Sequence, residues 1–233
     1  ERFIFGLVKP FLPEIASSPK LLAMTVRIFM PELPEVETIV RDLNHGLKNK
    51  KITAVDPLDK KIFQLSGQEV KKIIGKKIKA VRRRAKTIIF DLGDGYLIIH
   101  LKMTGQLVLK TKTGLFAGGH PIIGQGEKLP NKFTRVIFKF NDKSVLFFND
   151  VRRFGWIKLV NGAKFLKYSQ GLGVEPLSLG FTLKYFNKIL GQRRKTTIKQ
   201  ALLEQKHIAG IGNIYADESL FAARLKPFSR VKT

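Results

Sequence analysis

The run Pro31-Glu32-Leu33-Pro34-Glu35-Val36-Glu37, directly after Met30, holds the residues best suited to covalent chemistry. A proline at the start of a chain is a secondary amine, able to attack an electrophilic carbon and form an iminium as a catalytic lysine does. Inside a chain its nitrogen is a tertiary amide, with its lone pair delocalised into the carbonyl and no N–H to offer. The motif therefore carries chemistry only on a chain that begins at Pro31, whereas residues 1–30 precede it in this sequence. Taken alone, the heptapeptide also reads as a plain helix start, with proline in the first turn and glutamate favoured by the helix dipole.

A helix is the first element the motif needs. After Pro34 the apolar residues Val36, Ile39, Val40, Leu43 and Leu47 recur at helical spacing, with Glu37, Arg41, Asp42 and Asn44 between them. Short β-type runs follow. Residues 87–90 and 96–101 flank Gly93-Asp94-Gly95, and residues 136–140 and 144–148 flank Asn141-Asp142-Lys143, so two hairpins are expected. Between them, 111–132 is rich in Gly, Pro and Lys and reads as one long loop. Beyond Gly180 the period becomes helical. Thr182 caps a helix through Tyr185, Phe186, Ile189 and Leu190 that ends at Gly191. A second helix starts near Thr197 and carries Ile198, Ala201 and Leu202; a third runs from about Asn213 through Ile214, Tyr215, Leu220 and Phe221. Strands first and helices later make an α+β chain of two domains, joined at Leu172-Gly173-Val174-Glu175-Pro176. Gly210-Ile211-Gly212-Asn213 falls in the turn before the last helix. Glycines there let the backbone approach closely, and free N–H groups at a helix start suit a phosphate oxygen.

Forty-three Lys and Arg against 18 Asp and Glu give a net charge of +25, with 44% apolar residues. That apolar content excludes a basic disordered tail, and a folded chain this basic points to a polyanionic partner, nucleic acid first. The chain has no cysteine, which rules out disulfides and thiolate metal sites within these residues. Its four histidines, His45, His100, His120 and His207, are too scattered to suggest a ligand cluster. No apolar run approaches the roughly 20 residues needed to span a bilayer. Residues 1–29 lack a starting methionine and a clear amphipathic period, and read as an atypical extension from a fragment or a misread frame. The basic end at Val231-Lys232-Thr233 also reads as cut, so the gene product is expected to continue beyond it.

Six islands, in order, resemble bacterial formamidopyrimidine-DNA glycosylases. They are 30–37, Arg84-Ala85-Lys86, His100-Leu101-Lys102-Met103-Thr104-Gly105, Asp150-Val151-Arg152-Arg153-Phe154-Gly155, 172–177, and Gly210-Ile211-Gly212-Asn213-Ile214-Tyr215-Ala216-Asp217-Glu218. The resemblance implies a catalytic β-sandwich domain with a flanking helix over 31–171 and a linker over 172–180. A helix-two-turns-helix domain would follow over 181–233, incomplete at its carboxyl end. It also implies a base-excision repair enzyme, a bifunctional glycosylase and AP lyase. Such an enzyme flips out and excises oxidised purines, 8-oxoguanine and formamidopyrimidines, through a Schiff base and then cleaves the strand by elimination. On that resemblance Pro31 is the nucleophile at the sugar C1′, Glu32 the general acid/base, and Lys86 a lysine in the catalytic cleft on a phosphate near the lesion. Met103, Arg152 and Phe154 fill the gap left by the extruded base, whose lost stacking and pairing must be compensated. Asn213, with Lys195 as a weaker second, contacts phosphate; Glu35 supports the helix start or the lesion pocket rather than doing chemistry, and Glu218 is a lesion-pocket or supporting residue. The implied partner is double-stranded DNA carrying oxidised bases or abasic sites, bound by a monomer in the bacterial cytoplasm with no membrane involved.

The match departs from the family in places. The family usually binds one zinc in a four-cysteine C-terminal finger; no such element lies in this chain, so no cofactor is expected within it. Val151 stands where proline is usual. Met103, Arg152 and Phe154 also read individually as a core methionine, a surface arginine and a core phenylalanine, and Arg82 and Arg83 as a solvated basic edge. Other functions stay open. The endonuclease VIII branch acts on oxidised pyrimidines, though Leu33 and the Met103/Arg152/Phe154 trio favour the purine branch. A chain in which Pro31 stays internal would be a non-catalytic damaged-DNA-binding protein, and an RNA- or ribosome-binding protein is a weaker third reading.

Overall fold

In the computed structural model, which describes residues 30–119 and 128–231, the helix expected after Pro34 is α1 (Leu33–Leu47). Pro34 lies in its first turn, where a missing N–H costs nothing. Leu33, Val36, Ile39, Val40, Leu43 and Leu47 form its buried face. That stripe packs against β2 (Ala80–Arg84), β3 (Thr87–Asp91) and β6 (Leu115–Gly119).

Among the described residues nine strands build two antiparallel sheets. β1 (Ile52–Pro57), β7 (Thr134–Phe140), β8 (Val145–Asp150), β5 (Gly105–Lys110) and β6 make a five-stranded sheet in that order. β2, β3, β4 (Tyr96–His100) and β9 (Trp156–Val160) make the second. Phe90, Leu97 and Ile99 of one sheet share a single core with Leu107, Phe138 and Phe148 of the other, which makes the unit a β-sandwich flanked by α1. A short α2 (Gly67–Ile73), absent from the sequence reading, starts at a capping box between Ser66 and Glu69.

Both expected hairpins form, with Ile88 opposite Ile99 and Phe138 opposite Leu146. The long loop over 111–132 needs correction. Its first part is half a hairpin: Thr111 exchanges hydrogen bonds with Gly114, and β6 then pairs along β5. Glycine disguised that strand, and the fold explains why it is there. A Cβ on Gly118 would come within 2.5 Å of Ile39 on α1, and Gly119 has φ +108°, a conformation side chains rarely adopt. Residues 120–127 of the expected loop, His120 included, lie outside the described residues, as does the extension 1–29.

The described chain divides into two compact units, 30–167 and 168–231, with α3 (Gly162–Gln170) crossing the division. The second unit is helical: α4 (Leu183–Gln192), α5 (Ile198–Leu203) and α6 (Asn213–Ala222) surround a small core of Ile189, Leu202, Ile208, Ala216 and Leu220. Thr182 and Thr197 cap α4 and α5 as their positions suggest, accepting from the N–H groups of Tyr185 and Gln200. α4 runs on past the expected stop at Gly191 to Gln192. A glycine ends a helix by turning left-handed, and Gly191 does not. The stretch 172–176 is tied into this unit: Gly173 donates to the Gln205 carbonyl at 2.8 Å, and Val174 pairs with Ile208.

Candidate active site

Pro31 and Glu32 precede α1 and are both buried, Glu32 with 1% of its surface exposed. The Glu32 N–H donates to the Glu35 carboxylate at 2.9 Å, which fixes the helix start in one conformation. Lys86 reaches the same place from the β2–β3 hairpin. Arg84 and Thr87 pair across a turn of Ala85 and Lys86, with Ala85 at φ +51°. This turn brings the Lys86 amine within electrostatic reach of Glu32 and Glu35. Burial pushes the Lys86 ammonium below the ordinary lysine range against the pull of the two glutamates, and Lys102 adds to the depression. The neighbouring arginines differ from each other. Arg82 is solvated on an edge strand, but Arg83 is not: its side chain is 10% exposed and its Nε donates to Glu37 at 2.8 Å, fastening the hairpin to α1.

His100, to which the sequence reading gave no role, joins this cluster. Its Nδ1 accepts the Lys102 N–H at 3.0 Å, and its ring lies 5.6 Å from that of Trp156. Burial, with Lys102 and Lys86 nearby, lowers its pKa to about 3, so the imidazole is neutral at physiological pH. With Nδ1 accepting, its single proton sits on Nε2, available to donate. The arrangement is thus a buried proline before a helix start, a buried carboxylate beside it, and a partly desolvated lysine within electrostatic reach of that carboxylate. The amino end of α1 disfavours a cation at the position before it.

Met103, Arg152 and Phe154 converge although 49 residues separate Met103 from Arg152. The chain crosses from β4 to β5 through 101–104 and from β8 to β9 through 151–155. Because His100 pairs with Trp156 and Gly105 with Asp150, the two crossings run side by side. The Arg152 guanidinium stacks 4.7 Å over the Phe154 ring, and its Nη1 lies 3.7 Å from Met103 Sδ. Phe154 is 44% exposed, so it is no core phenylalanine, and Met103 is only half-buried.

One buried carboxylate holds both crossings. Asp150 accepts the Thr104 hydroxyl at 2.5 Å, the Gly155 N–H at 2.7 Å and the Arg152 N–H at 3.2 Å. Gly155 is needed for this approach, since a Cβ there would fall 2.6 Å from the Phe148 ring. The polar pair Asn149-Asp150 ending a strand of four apolar residues is the signal in the sequence. Asp150→Asn should cost about 1–3 kcal/mol of stability, because an amide N–H then faces buried donors. Denaturant unfolding, with a lower midpoint and an unchanged slope, checks this.

Asn213, Lys195 and Glu218 belong to the helical unit, apart from the residues above. Asn213 is exposed at the first position of α6 behind the Gly212 cap; Lys195 is exposed between α4 and α5; Glu218 is exposed on α6. The turn before α6 is held by Gln205, which the sequence reading passed over. Its Nε2 donates to the Leu203 and Ile211 carbonyls at 3.0 and 2.7 Å, and its Oε1 accepts the Gly210 N–H at 2.9 Å. A side-chain amide so replaces the backbone partners this loop lacks. Gly210, at φ +103°, takes the conformation the turn requires. The first N–H groups of α6 suit an anion.

Among the described residues no group of His, Asp or Glu is arranged to hold a metal ion, and without cysteine these residues cannot build a four-thiolate zinc site. No helix of the described residues is long and apolar enough to cross a membrane.

Comparison with known proteins converges on one family. Residues 30–157 match the formamidopyrimidine-DNA glycosylase N-terminal domain and residues 172–233 the formamidopyrimidine-DNA glycosylase H2TH domain. A formamidopyrimidine-DNA glycosylase of Pelotomaculum thermopropionicum is 43% identical over 203 residues, covering 85% of this chain and 68% of the relative. One from the Wolbachia of Brugia malayi is 38% identical over 200 residues, with the same coverage of each chain. Among solved structures, Lactococcus lactis Fpg in complex with DNA containing an abasic site superimposes with a TM-score of 0.74 at 33% identity, over 86% of this chain and 70% of that one. The Lactococcus lactis protein with Fapy-dG-containing DNA gives 0.73 at the same identity, over 86% and 71%.

Proposed function

This chain belongs to the formamidopyrimidine-DNA glycosylase family, and we propose on that premise that it excises oxidised purines from duplex DNA and then nicks the strand. The observation that carries the reading is the cluster at the start of α1: an amine position at Pro31, the buried Glu32 next to it, and Lys86 within reach of that carboxylate. Once Pro31 is the first residue, its nitrogen attacks C1′ of the damaged nucleotide; the base leaves with the C1′ bond pair and takes up the proton that the Pro31 nitrogen gives off. Glu32 supplies a proton to the ring oxygen as the sugar opens, leaving an iminium between Pro31 and C1′. Loss of a C2′ proton then expels the 3′ phosphate, and water releases Pro31.

Lys86 serves as a phosphate contact beside the reacting sugar, and its neighbour His100 is neutral. Met103 and Phe154 provide an apolar wedge, with Arg152 facing the orphaned base. Asn213 and Lys195 hold phosphate on the helical unit, while Glu35 supports the helix start beside Glu32. In this reading 31–171 is the catalytic domain, 172–180 the linker and 181–233 the DNA-gripping domain. A chain beginning at Pro31 should release the base and nick at 8-oxoguanine or formamidopyrimidine faster than at thymine glycol. The opposite ranking would assign the chain to oxidised pyrimidines, and no excision from any of these duplexes would reject the reading.

A further inference from the structure

The loop that carries Arg152 and Phe154 has a second anchor, and it lies outside the six motif islands. Arg153, between the two wedge residues, adopts φ +57°, a left-handed conformation that a long side chain rarely takes. Its Nε donates to the Asp59 carboxylate at 2.5 Å. Asp59 is 6% exposed, and its other oxygen accepts the Lys61 N–H at 2.9 Å.

The segment around Asp59 is fastened to both sheets. The Asp59 N–H donates to the Arg135 carbonyl of β7 at 3.1 Å, and Ile62 and Gln64 hydrogen-bond to Ile157 of β9. Arg135 in turn donates to the Asp150 carbonyl at 2.9 Å, at the root of the loop. Asp150 therefore grips the loop at its base, and Asp59 pulls its middle residue toward the body of the domain. Residues 152–154 all stay exposed, and the ion pair with buried Asp59 fixes the side chain between Arg152 and Phe154, where Arg152 stacks on Phe154.

We infer that Asp59 is a positioning residue for base extrusion: through its ion pair with Arg153 it holds Arg152 and Phe154 in the geometry that enters the duplex. The inference rests on the extrusion step of the proposed function. Without the Asp59 carboxylate, Arg153 is free to leave its strained conformation, and the wedge loses its fixed presentation.

The test uses the full chain and a duplex with 2-aminopurine next to 8-oxoguanine. The fluorescence rise reports lost stacking at the lesion and needs no bond cleavage, so the state of the Pro31 nitrogen does not enter. The unaltered chain should give the rise, and Asp59→Asn should slow it about tenfold, as misplacement of a positioned group does. Affinity for the same duplex with a tetrahydrofuran residue, which has no base to extrude, should change less than about twofold, because phosphate contacts carry it. Asp59→Glu, which keeps the charge, should recover most of the rate. Arg153→Gln should match Asp59→Asn, and the double variant should be no slower, since both remove one tether.

An unchanged rate in Asp59→Asn, additive losses in the double variant, or an equal loss on the tetrahydrofuran duplex would each overturn the role of Asp59 while leaving the proposed function standing. No rise with the unaltered chain would overturn extrusion itself, and this role with it.

Discussion

A chain whose first residue is Pro31 will be caught by borohydride as a covalent adduct on abasic duplex, and a chain in which Met30 still precedes Pro31 will not. The reason is electronic. In a peptide bond the nitrogen lone pair is committed to the carbonyl, a commitment visible in a rotation barrier of about 18–20 kcal/mol. An amide nitrogen cannot form the iminium that borohydride reduces, so the expected loss is complete at the detection limit, at least about a thousandfold. Peptide mapping should place the adduct on residue 31. An equal yield from the chain with Met30 attached would sink the assignment and move the nucleophile to a lysine. Lys86 would be the first to examine, since burial already favours its neutral form.

Acid will destabilise the protein through His100 well before its carboxylates protonate. The folded-state pKa of about 3 lies below the ordinary histidine value of 6.5. Between those values the unfolded chain binds a proton that the folded chain refuses, so stability falls as pH falls and is flat in this respect above 6.5. The full slope of about 1.4 kcal/mol per pH unit is reached only below about pH 5.5, so the loss between pH 6.5 and pH 5 is about 1.6 kcal/mol. The carboxylates held below their usual range, Glu37, Asp59 and Asp142, act in the same direction at lower pH, as their partners are lost. His100→Asn should therefore flatten the decline above pH 5 and leave the steeper one below it. Denaturant unfolding of both proteins at pH 6.5 and 5 measures the difference; parallel declines would show that the histidine is not held neutral.

Local features of the chain were readable because their causes are local. α1 follows from apolar residues one turn apart with Pro34 in the first turn, and the two hairpins from β-rich runs around short polar turns. Thr182 and Thr197 marked helix starts because a hydroxyl caps N–H groups only three residues on. β6 was missed for the opposite reason. Gly118 answers to Ile39 of α1 and Gly119 to the backbone of β5 beside it, neighbours that strand propensity cannot see.

The motif islands named residues but not the supports that hold them. Asp150 works through Thr104, 46 residues away, and Asp59 through Arg153, 94 residues away. Arg83 looked like one more surface cation until α1 supplied Glu37.

What could be learned from residue order alone was which groups are able to react and which short segments present them. The chemistry of an amine or a carboxyl, and the pitch of a helix, depend on a few neighbours in the chain. Only the folded sandwich decided that Lys86 comes within electrostatic reach of Glu32, that Met103 meets Arg152, and that His100 is stripped of its proton. Those outcomes depend on strand pairing and on exclusion of water, which bring together groups distant in the chain and set the dielectric in which they interact.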